Sequence, residues 1–598
     1  MAIIGIDLGT SNSAAAVLRG GRPVIIPSAE GVGIGGKAFP SYVALTADGQ
    51  LLIGEPARRQ ATANPEGTAS AFKRRMGKRE TIRLRERDYS PEQLSAFLLQ
   101  KIKRDAEAFL GERVDQAVLT VPAYFNDNQR TASKDACRIA GIDVLHLINE
   151  PTAAALAYGL ERLGQELRIV VIDFGGGMLD VTIMEFGKGV FEVKTTSGDS
   201  QLGGTDMTRL VFEHFAQCFQ MASGVDPRAD RKAAARLLEA AETAKIELTA
   251  SMSTHVSLPY LATLNGEPCH LELEFHRTEL ERLLRPVIER CRGPVEQALR
   301  DAGITPHDVD RVVFVGGPTR MPMVRAHFEK LFTRKAEMGV DPMACVAAGA
   351  AIQAGVLGGE IGGIVLVDVT PLTLGVKTLR GIATPLIARN TPVPVKHSET
   401  FTTTTDMQDS ITIHIFQGER PMAGNNASLG EFNLDGLPPA PRGVPEIEVT
   451  FDIDADGILG VTARDSASGK PQPIRISASP RLPEDEKKWM IEDAERYAGA
   501  DRKRSDDAKK LNAVDGVCYE AEKLLAEFGG KLGDDLKQRI DKAWNEAREA
   551  LLGKEVAPAS EHAETLRKLL QEASSALYAR SVQSTPADRR APAGGAPP

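Results

Sequence analysis

The sequence predicts a multidomain protein in which an α/β region is followed by an antiparallel β region and then by a helical region. At 598 residues the chain is too long for one hydrophobic core, so two to four domains are expected. Three successive patterns lead to this prediction. Buried strands first alternate with helices, strands of period two follow, and a charged stretch without strands comes last.

Residues 1–359 form the predicted α/β region. The runs AVLTVPAYF, RIVVIDFGGG and RVVFVGG are apolar and rich in β-branched residues, which is typical of buried strands. Between them, RKAAARLLEAAETAKIELTA consists mainly of strong helix formers. Residues 360–368, EIGGIVLVD, place glycines before four apolar residues, so we interpret this segment as a linker that can also adhere to a surface.

The remaining residues predict two further domains and a tail. In 369–480, the runs SITIHIF and EIEVTFDID alternate apolar and polar residues between turn signals, as in an antiparallel sandwich or barrel. Residues 481–580 are charged and helical, with helix breaks expected at Gly529-Gly530 and near Pro558. Residues 581–598 are rich in Pro, Gly and Ala and are expected to be disordered.

The composition excludes several classes of function. A net charge of −9 argues against nucleic acid or an anionic membrane as the main partner. The first apolar run lacks a basic flank and is broken by Asp7, unlike a signal peptide, and no run is long enough to span a bilayer. The six cysteines are scattered without a C-x-x-C pair, which favours buried thiols and a cytoplasmic location.

Three motif matches are better explained without a ligand. GVGIGGKA, residues 31–38, resembles a phosphate-binding loop, but it ends in Ala38 and precedes a strand-like FPSYVAL rather than a helix. The run Asp452 to Gly457 matches half of a calcium loop, but its strand-like flanks favour a hairpin with an Asp-Gly turn. Lys73-Arg74-Arg75 has the composition of a solvated surface, and of its residues only Lys73 is retained below.

An acidic, glycine-tipped hairpin occurs twice, as Asp7-Leu8-Gly9 and as Asp173-Phe174-Gly175. Glycines permit the close approach and the positive φ angles with which backbone N–H groups surround a phosphate, and carboxylates hold hydrated Mg²⁺. Two such tips facing each other would hold the phosphates from both sides. A third glycine turn, Val315 to Arg320, also follows a buried strand and could receive the nucleoside.

These motifs make the sequence resemble the seventy-kilodalton heat-shock protein (DnaK-type) chaperone family. The resemblance extends over nearly the whole chain through IIGIDLGTSNS, VPAYFNDNQR, INEPTAAALAYGL, DFGGGMLDVTI, LGGTD, FVGGPTRMP, VLVDVTPLTLG, NLDGLPPAPRG and VTFDIDADGILGV. It implies an ATPase domain of the actin/hexokinase-like fold, an antiparallel β-sandwich that binds substrate and an α-helical lid. The two hairpins would then be the phosphate clamps of a duplicated fold.

The resemblance also assigns roles to residues of the first domain. The implied catalytic residues are Asp7, Lys73, Glu150 and Asp173, with Asp7 and Asp173 holding Mg²⁺ through water. The implied phosphate loops contain Gly9, Thr10, Ser11, Gly175, Gly176, Gly177, Gly203 and Gly204. The implied adenosine pocket contains Glu242, Lys245, Thr249, Gly316, Gly317, Pro318 and Arg320. Such a constellation would act by positioning and by electrostatic stabilisation of the transferred phosphoryl group.

Further residues are implied in coupling and in client binding. Pro122 and Arg130 match a switch that senses nucleotide, and the linker ending in Asp368 would dock on the first domain with ATP bound. A client segment would bind in a cleft of the sandwich. The matching positions are Leu379, Phe401, Thr404, Ile411 and Ile413, although the spacing of the last two alone favours ordinary core. Arg442 and Asp515 match a latch between sandwich and lid.

The resemblance implies ATP and ADP as nucleotides, Mg²⁺ as the metal and K⁺ as a further candidate ion. It implies unfolded or nascent polypeptides as clients, a J-domain co-chaperone, a nucleotide exchange factor and a monomeric state. The expected function is therefore ATP-dependent protein folding in the cytoplasm, with a role in the stress response.

Four departures from the family pattern indicate a bacterial-type, specialised paralogue. Met178 replaces the Thr that normally follows the third glycine, and a thioether cannot donate a hydrogen bond to phosphate. Losing one such donor can remove ~2.7–4 kcal/mol of transition-state stabilisation. Met343 and Thr205 replace acidic residues, and Ile246 stands where many members carry Arg or Lys.

Three functions are compared. An ATP-hydrolysing chaperone is favoured because Asp7, Lys73, Glu150 and Asp173 are all retained. A nucleotide-gated client holder with weak or no hydrolysis is the alternative suggested by Met178 and Met343. A small-molecule kinase or filament protein on the same ATPase fold is disfavoured, since neither needs a peptide cleft, a linker or a lid.

Overall fold

The computed structural model of this chain describes most residues up to 472 and a shorter set beyond them. The described residues are 2–30, 38–265, 267–337, 341–378, 381–403, 407–435, 437, 439–441, 444–465, 471–472, 510–511, 513–514, 517–518, 520–522, 524–525, 532–553 and 555–583. The chain divides into two units, residues 1–494 and 495–598.

Strands dominate the first unit. They are β1 (Ile3–Asp7), β2 (Asn12–Arg19), β3 (Arg22–Ile26), β4 (Phe39–Pro40), β5 (Tyr42–Leu45), β6 (Leu51–Ile53), β7 (Thr68–Ser70), β8 (Ile82–Leu84), β9 (Arg87–Tyr89), β10 (Gln116–Val121), β11 (Asp143–Asn149), β12 (Leu167–Phe174), β13 (Leu179–Gly187), β14 (Val190–Asp199), β15 (Ser253–Leu264), β16 (Glu267–His276), β17 (Arg311–Val315), β18 (Val365–Val369), β19 (Leu374–Lys377), β20 (Ala383–Ile387), β21 (Pro392–Val393), β22 (Val395–Thr402), β23 (Ser410–Gln417), β24 (Ala427–Asp435), β25 (Glu446–Ile453), β26 (Leu459–Asp465) and β27 (Pro471–Gln472).

Helices occur in both units. They are α1 (Glu55–Arg59), α2 (Pro91–Leu110), α3 (Asp127–Ile139), α4 (Glu150–Gly159), α5 (Gly204–Ser223), α6 (Arg231–Glu247), α7 (Arg277–Arg290), α8 (Arg292–Ala302), α9 (Pro322–Phe332), α10 (Cys345–Leu357), α11 (Asp534–Leu552) and α12 (Val556–Gln583). Among the described residues, none of these helices combines the length and apolar character needed to cross a bilayer.

Two sheets of matching topology form the α/β part of the first unit. In one sheet the order is β11-β10-β1-β2-β3, with β10 parallel to β1 and the meander β1-β2-β3 antiparallel. In the other the order is β17-β12-β13-β14-β18-β21, with β17 parallel to β12 and β12-β13-β14 again an antiparallel meander. This internal repeat places the tip after β1 and the tip after β12 at equivalent positions.

Helices α4 and α10 pack against each other between these sheets. The contact requires small residues, because a Cβ on Gly349 of α10 would lie 1.8 Å from the carbonyl oxygen of Ala153 in α4. Gly5 in β1 has the same constraint, since its Cβ would lie 2.1 Å from the backbone nitrogen of Ala351. The absence of these two side chains therefore allows α10 to lie directly on β1 and α4.

Two four-stranded antiparallel sheets form the second part of this unit. Their orders are β20-β19-β23-β24 and β22-β25-β26-β27. The apolar residues that alternate along β23 and β25, including Ile413, Val449 and Phe451, are buried in one core between the sheets. The sandwich expected from the period-two pattern is therefore present, and the Asp-Gly turn joins β25 to β26 with Gly457 at a φ of +72°.

The second unit contains helices α11 and α12. Ala547, Ala563 and Leu566 are among the residues in the buried core of this unit. The break expected near Pro558 lies between Leu552 and Val556, whereas Gly529-Gly530 falls outside the described residues. Helix α12 runs to Gln583, three residues beyond the boundary of 580 that the sequence predicted, and the rest of the expected tail lies outside the described residues.

The close contact between α10 and α4 gives a stability prediction. Gly349→Ala must push the two helices apart, so we expect a loss of ~1–3 kcal/mol and a fall of several degrees in the unfolding midpoint of this region. The matched control is Gly293→Ala in α8, where an added Cβ meets no atom within 4 Å. Differential scanning calorimetry should show the control unchanged or more stable, and equal effects of the two variants would contradict the packing argument.

Candidate functional site

A cleft of about 790 Å³ opens between the two sheets of the α/β part. All of the predicted catalytic and nucleotide-binding residues line it except Gly203, which lies directly behind the second tip. The lining comes from the ends of β1, β12 and β17, from the first turns of α4 and α5, and from α6. Segments more than 300 residues apart in sequence therefore meet at one site.

The two glycine tips face each other across the cleft. A Cβ on Gly176 would lie 2.1 Å from the Ser11 hydroxyl oxygen, and one on Gly177 would lie 2.5 Å from the Thr10 hydroxyl oxygen. Only glycine allows this approach of one backbone to the opposite side chains. Hydroxyl and backbone N–H donors of both tips therefore converge on one small volume, as phosphate binding requires.

Each tip is held by further hydrogen bonds. In the first tip, Ser13 accepts from the Gly9 amide at 3.1 Å, and Ser41 donates to the Gly9 carbonyl at 2.8 Å. In the second, the amides of Gly204 and Thr205 donate to the carbonyls of Gly175 and Gly176 at 3.0 and 2.8 Å. The start of α5 thus supports the second tip. This support is a structural role of the LGGTD motif, which contains Gly204 and Thr205.

A buried cluster of charge lies at the base of the cleft. Lys73, in a 3₁₀ turn spanning Phe72–Arg75, contacts Glu150 with 2.5 Å between Nζ and Oε1. Asp7 ends β1, and Asp173 lies beside it near the end of β12. Burial and the neighbouring Glu150 raise the pKa of Asp7 to about 7, although Lys73 opposes this shift.

The other buried acids show the same effect. Burial raises the pKa of Asp173 well above its ordinary value, with Glu150, Asp180 and Asp7 adding to the shift. Burial and Glu150 likewise raise the pKa of Asp180 to about 7. One lysine therefore does not neutralise the cluster, and a bound divalent cation would complete its charge balance. Carboxylates are the ligands that Mg²⁺ prefers, so this donor set fits the ion.

The predicted adenosine side of the cleft is formed by α6 and by the turn after β17. The Lys245 ammonium is buried and donates to the Gly204 carbonyl at 3.0 Å and to the Thr208 hydroxyl at 2.7 Å. Gly316 has a φ of +88°, and a Cβ there would lie 2.1 Å from the Phe174 carbonyl oxygen. Lys245 thus joins α6 to the start of α5, while Gly316 permits the turn that carries Pro318 and Arg320.

The departures from the family pattern also lie at this cleft. Met178 lines the cleft with a side chain that is almost fully buried. This position therefore lacks the hydroxyl that the family pattern predicts. Met343 lines the adenosine side, with a Cβ on Gly317 placed 3.6 Å from its sulfur. Within the described part of the chain, the Thr205 hydroxyl is buried without a hydrogen-bond partner.

Arg74 was wrongly assigned to a solvated surface. Its guanidinium donates to the Gly177 carbonyl at 2.8 Å and to both carboxylate oxygens of Asp206 at 3.2 and 2.5 Å. These bonds join the turn that carries Lys73 to the second tip and the start of α5. The error arose because a run of three basic residues has no signal that separates a bridging arginine from exposed neighbours, and Arg75 is indeed half exposed.

The predicted coupling residues form a network that leads from the cleft to the sandwich. Arg130 is buried and donates to the Asn149 side chain at 2.7 Å, beside Glu150. It also donates to the carbonyl of Asp456 in the β25–β26 turn at 3.3 Å. Pro122 is buried at the start of the loop leading to α3, and the next residue, Ala123, donates its amide to Asp180 at 3.0 Å.

The predicted linker is docked on the α/β part. Its strand β18 pairs in parallel with β14, with Leu366 opposite Phe191, and then pairs with β21 of the following segment. Asp368 accepts a hydrogen bond from the Thr152 hydroxyl in α4 at 2.9 Å. The apolar linker thus becomes a strand of the second sheet, and its aspartate lies near the helix that begins at Glu150.

The sandwich contacts both halves of the α/β part. The Asp127 amide donates to the Gln417 side chain at 3.1 Å, and the Leu459 amide donates to the Asp127 carboxylate at 2.7 Å. On the other half, Arg389 donates to Asp301 at 2.7 Å and the Thr196 amide donates to Asn390 at 3.0 Å. These contacts could not be predicted from local pattern because the partners are far apart in sequence.

The predicted client cleft is only partly described. Ile411 and Ile413 are buried in the sandwich core, and the partly buried Phe401 packs against it. Their positions agree with the core alternative considered above. Four predicted residues, Leu379, Thr404, Arg442 and Asp515, lie outside the described residues.

The bridge made by Arg74 generates a kinetic prediction. Arg74→Gln removes the ion pair with Asp206, so the second tip is held less firmly and we expect ADP to dissociate about five- to tenfold faster. Stopped-flow release of a fluorescent ADP analogue measures the rate. The matched control is Arg75→Gln. It removes an exposed charge whose Nε atom lies 3.9 Å from a carboxylate oxygen of Glu80, and it should leave the rate unchanged. An unchanged rate in Arg74→Gln would refute the bridging role.

The raised pKa of Asp7, about 7, predicts a pH dependence of metal binding. Protons compete with the cation for the carboxylate, so lowering the pH from 8 to 6 should weaken the Mg²⁺-dependent part of ADP affinity by about tenfold. Calorimetric titration with Mg²⁺ and with chelator separates that part from the affinity for free ADP. Asp7→Asn should flatten the dependence, and an affinity that rises as pH falls would contradict the assignment.

Comparison with known proteins places the chain in a family. The model of the family described as "Hsp70 protein" matches residues 3–579. The chain is 55% identical over 570 residues to "Chaperone protein DnaK" of Methanothermobacter thermautotrophicus, covering 95% of this chain and 96% of the relative. It is 53% identical to the protein of the same name from Picrophilus torridus, covering 98% and 95%, and 54% identical to that from Elusimicrobium minutum, covering 93% and 90%. With these identities, and a family match that spans both tips, the linker and the sandwich, the chain belongs to the Hsp70 family.

Proposed function

We propose that this chain is an ATP-dependent molecular chaperone that binds exposed apolar segments of unfolded proteins and releases them in a cycle driven by ATP binding and hydrolysis. The names of its relatives support this function. The observation that carries the proposal is the network around Arg130, which touches both the loop beside Glu150 and the sandwich turn at Asp456. One side chain thus links the charge cluster of the cleft to a second domain.

The proposed domain order follows the sequence. Residues 1–359 form the ATPase domain with the actin/hexokinase-like fold, and residues 360–368 form the linker. Residues 369–480 form the client-binding sandwich and residues 481–580 the helical lid, followed by the tail. The repeated sheet topology supports the duplicated ATPase fold, and the paired antiparallel sheets support the sandwich.

In the ATPase reaction, the phosphates lie between the two tips, where the Thr10 and Ser11 hydroxyls approach Gly177 and Gly176. Asp7 and Asp173 would hold hydrated Mg²⁺, which supplies neutralisation of the phosphate charge. Lys73, fixed by Glu150, places its ammonium at the base of the same cleft. Lys245 and the turn from Gly316 to Arg320 hold the nucleoside, and K⁺ is a candidate for the remaining negative charge.

Hydrolysis is proposed to be slow. Met178 lines the cleft where a hydroxyl donor is expected, and its thioether cannot donate a hydrogen bond. The Thr10 hydroxyl, on the opposite tip, offers partial compensation because it lies beside Gly177, the residue preceding Met178. The chain thus keeps the charged groups of the reaction while losing one donor.

Coupling follows from shared contacts. A change in charge at Glu150 is transmitted to Asn149 and Arg130, and from there to the sandwich turn. The same region holds the linker through Thr152 and Asp368. Docking of the linker and sandwich is proposed to accompany ATP binding, and their release to accompany hydrolysis. The latch between Arg442 and Asp515 would then close the lid over a client.

The client is proposed to be an extended apolar segment that lies against Phe401, Ile411 and Ile413, with Leu379 and Thr404 over it. Backbone hydrogen bonds to the sandwich together with one apolar pocket would give broad specificity. A J-domain co-chaperone and a nucleotide exchange factor are the proposed partners of a monomeric, cytoplasmic protein. A nucleotide-gated holder without hydrolysis is less favoured, because the charged residues of the reaction converge in the cleft.

Single-turnover hydrolysis of bound ATP, measured with and without an unfolded client, tests the proposal. We expect wild type to hydrolyse, Lys73→Ala to be inactive, and client to stimulate wild type. Met178→Thr restores the missing donor, so its rate should rise about ten- to a hundredfold. Met343→Thr removes another thioether of the same cleft, away from the second tip, and should change the hydrolysis step less than Met178→Thr does.

Two results would oppose this function. If wild type binds ATP but hydrolyses no faster than Lys73→Ala, the protein is a nucleotide-gated holder. If hydrolysis proceeds normally after the residues beyond 368 are removed and no client affects it in the full chain, the coupling part of the proposal fails.

A further inference from the structure

His146 lies where the sandwich meets the first domain. It belongs to β11, and its Nδ1 atom is 2.9 Å from the Asp456 carboxylate in the β25–β26 turn. That carboxylate also accepts from the Lys134 ammonium at 2.7 Å and from the Leu147 amide at 2.9 Å. Asp456 of the sandwich thus contacts three groups of the first domain. None of these residues lines the cleft.

Asp456 remains ionised over the range in which proteins function. Burial alone would raise its pKa, but hydrogen bonds from His146, Lys134 and the Leu147 amide together hold the pKa of this carboxyl well below its usual range. The carboxylate is 12% exposed and His146 is 18% exposed, so solvent screens their interaction only in part. The acidic partner therefore keeps a constant charge while pH varies near neutrality.

Further charged groups lie at this contact. Lys134 belongs to α3 and contacts the same carboxylate, and Arg130 of the same helix contacts the Asp456 carbonyl. In the turn, the Asp454 carboxylate is 2.9 Å from each of the amides of Asp456 and Ile458. Imidazole is the side chain whose charge changes most readily at about pH 5 to 8. His146 supplies the imidazole at this contact.

The protonation state of His146 changes the strength of the contact. A protonated ring carries a positive charge and a hydrogen on Nδ1, so it must donate to Asp456. A neutral ring donates to the carboxylate only as the tautomer that carries its hydrogen on Nδ1, and it has no charge, so its contact with Asp456 is weaker. Because Asp456 and His146 lie on different domains, this difference acts directly on the docking of one domain on the other.

We propose that protonation of His146 strengthens the docking of the sandwich on the first domain and makes the chaperone cycle sensitive to pH. The inference rests on the proposed coupling, in which docking accompanies ATP binding. Docking and proton binding favour each other by linkage, so docking strengthens as pH falls and weakens as pH rises. Acidification would therefore shift the ATP-bound protein toward the docked form and faster client exchange.

Hydrogen exchange of the linker segment Val365–Val369 measures docking in the full chain. Labelling is carried out in excess ATP, with pulses shorter than the time of one hydrolysis turnover. Variants are compared at the same pH, so that the intrinsic rate of amide exchange cancels. His146→Arg carries a permanent charge and His146→Gln is permanently neutral. We expect wild type to match His146→Arg at pH 6 and His146→Gln at pH 8, with a docking constant about fivefold higher at the lower pH.

Lys134→Gln is the matched control because it removes a positive charge that contacts the same Asp456 carboxylate, while His146 stays in place. It should weaken docking at both pH values and keep the ratio between them. The inference is overturned if the ratio of wild type to His146→Gln is the same at pH 6 and pH 8. If ATP protects the linker in no variant at either pH, the proposed coupling itself is wrong; ATP-dependent protection without pH dependence refutes only the role of His146.

Discussion

Negative charge buried between two sheets governs this structure. Glu150, Asp173 and Asp180 are buried around the base of one cleft, where Asp7 is partly buried and Lys73 is paired with Glu150. Burial, with repulsion from the neighbouring Glu150 as the second cause, raises the pKa values of Asp7 and Asp180. The charge and the donors of the cleft therefore fit nucleotide phosphate bound together with a cation.

The segments next to these acidic residues also lead to the contacts with the linker and the sandwich. Glu150 begins α4, which carries Thr152 and so contacts the linker. Asp180 accepts from Ala123, at the start of the loop that leads to Arg130. Chemistry in the cleft and docking of the second domain thus share backbone elements. This arrangement explains physically how one site can affect another without a long chain of separate movements.

Two departures of this chain from the family pattern lie beside that arrangement and leave it in place. Met178 removes a donor from the second tip, and Thr205 leaves a buried hydroxyl without a partner in the described part of the chain. Arg74 and Asp206 still hold the tip, and the acidic cluster is intact. The second tip therefore keeps its supporting contacts although it lacks one donor.

Local pattern in the sequence was sufficient for the elements and for the two glycine tips that line the cleft. The strands β1, β12 and β17 are apolar runs, α6 is rich in helix formers, and an aspartate two residues before a glycine marks each tip, because these properties depend on neighbours in the chain. Tertiary structure alone decided which charged side chains are partners. Arg74, His146 and Asp456 resemble solvated surface residues in the sequence, yet each is partly buried against a distant segment. The role of a charged side chain depends on the partner that it contacts in the folded chain. Local periodicity in the sequence does not encode which distant residue that partner is.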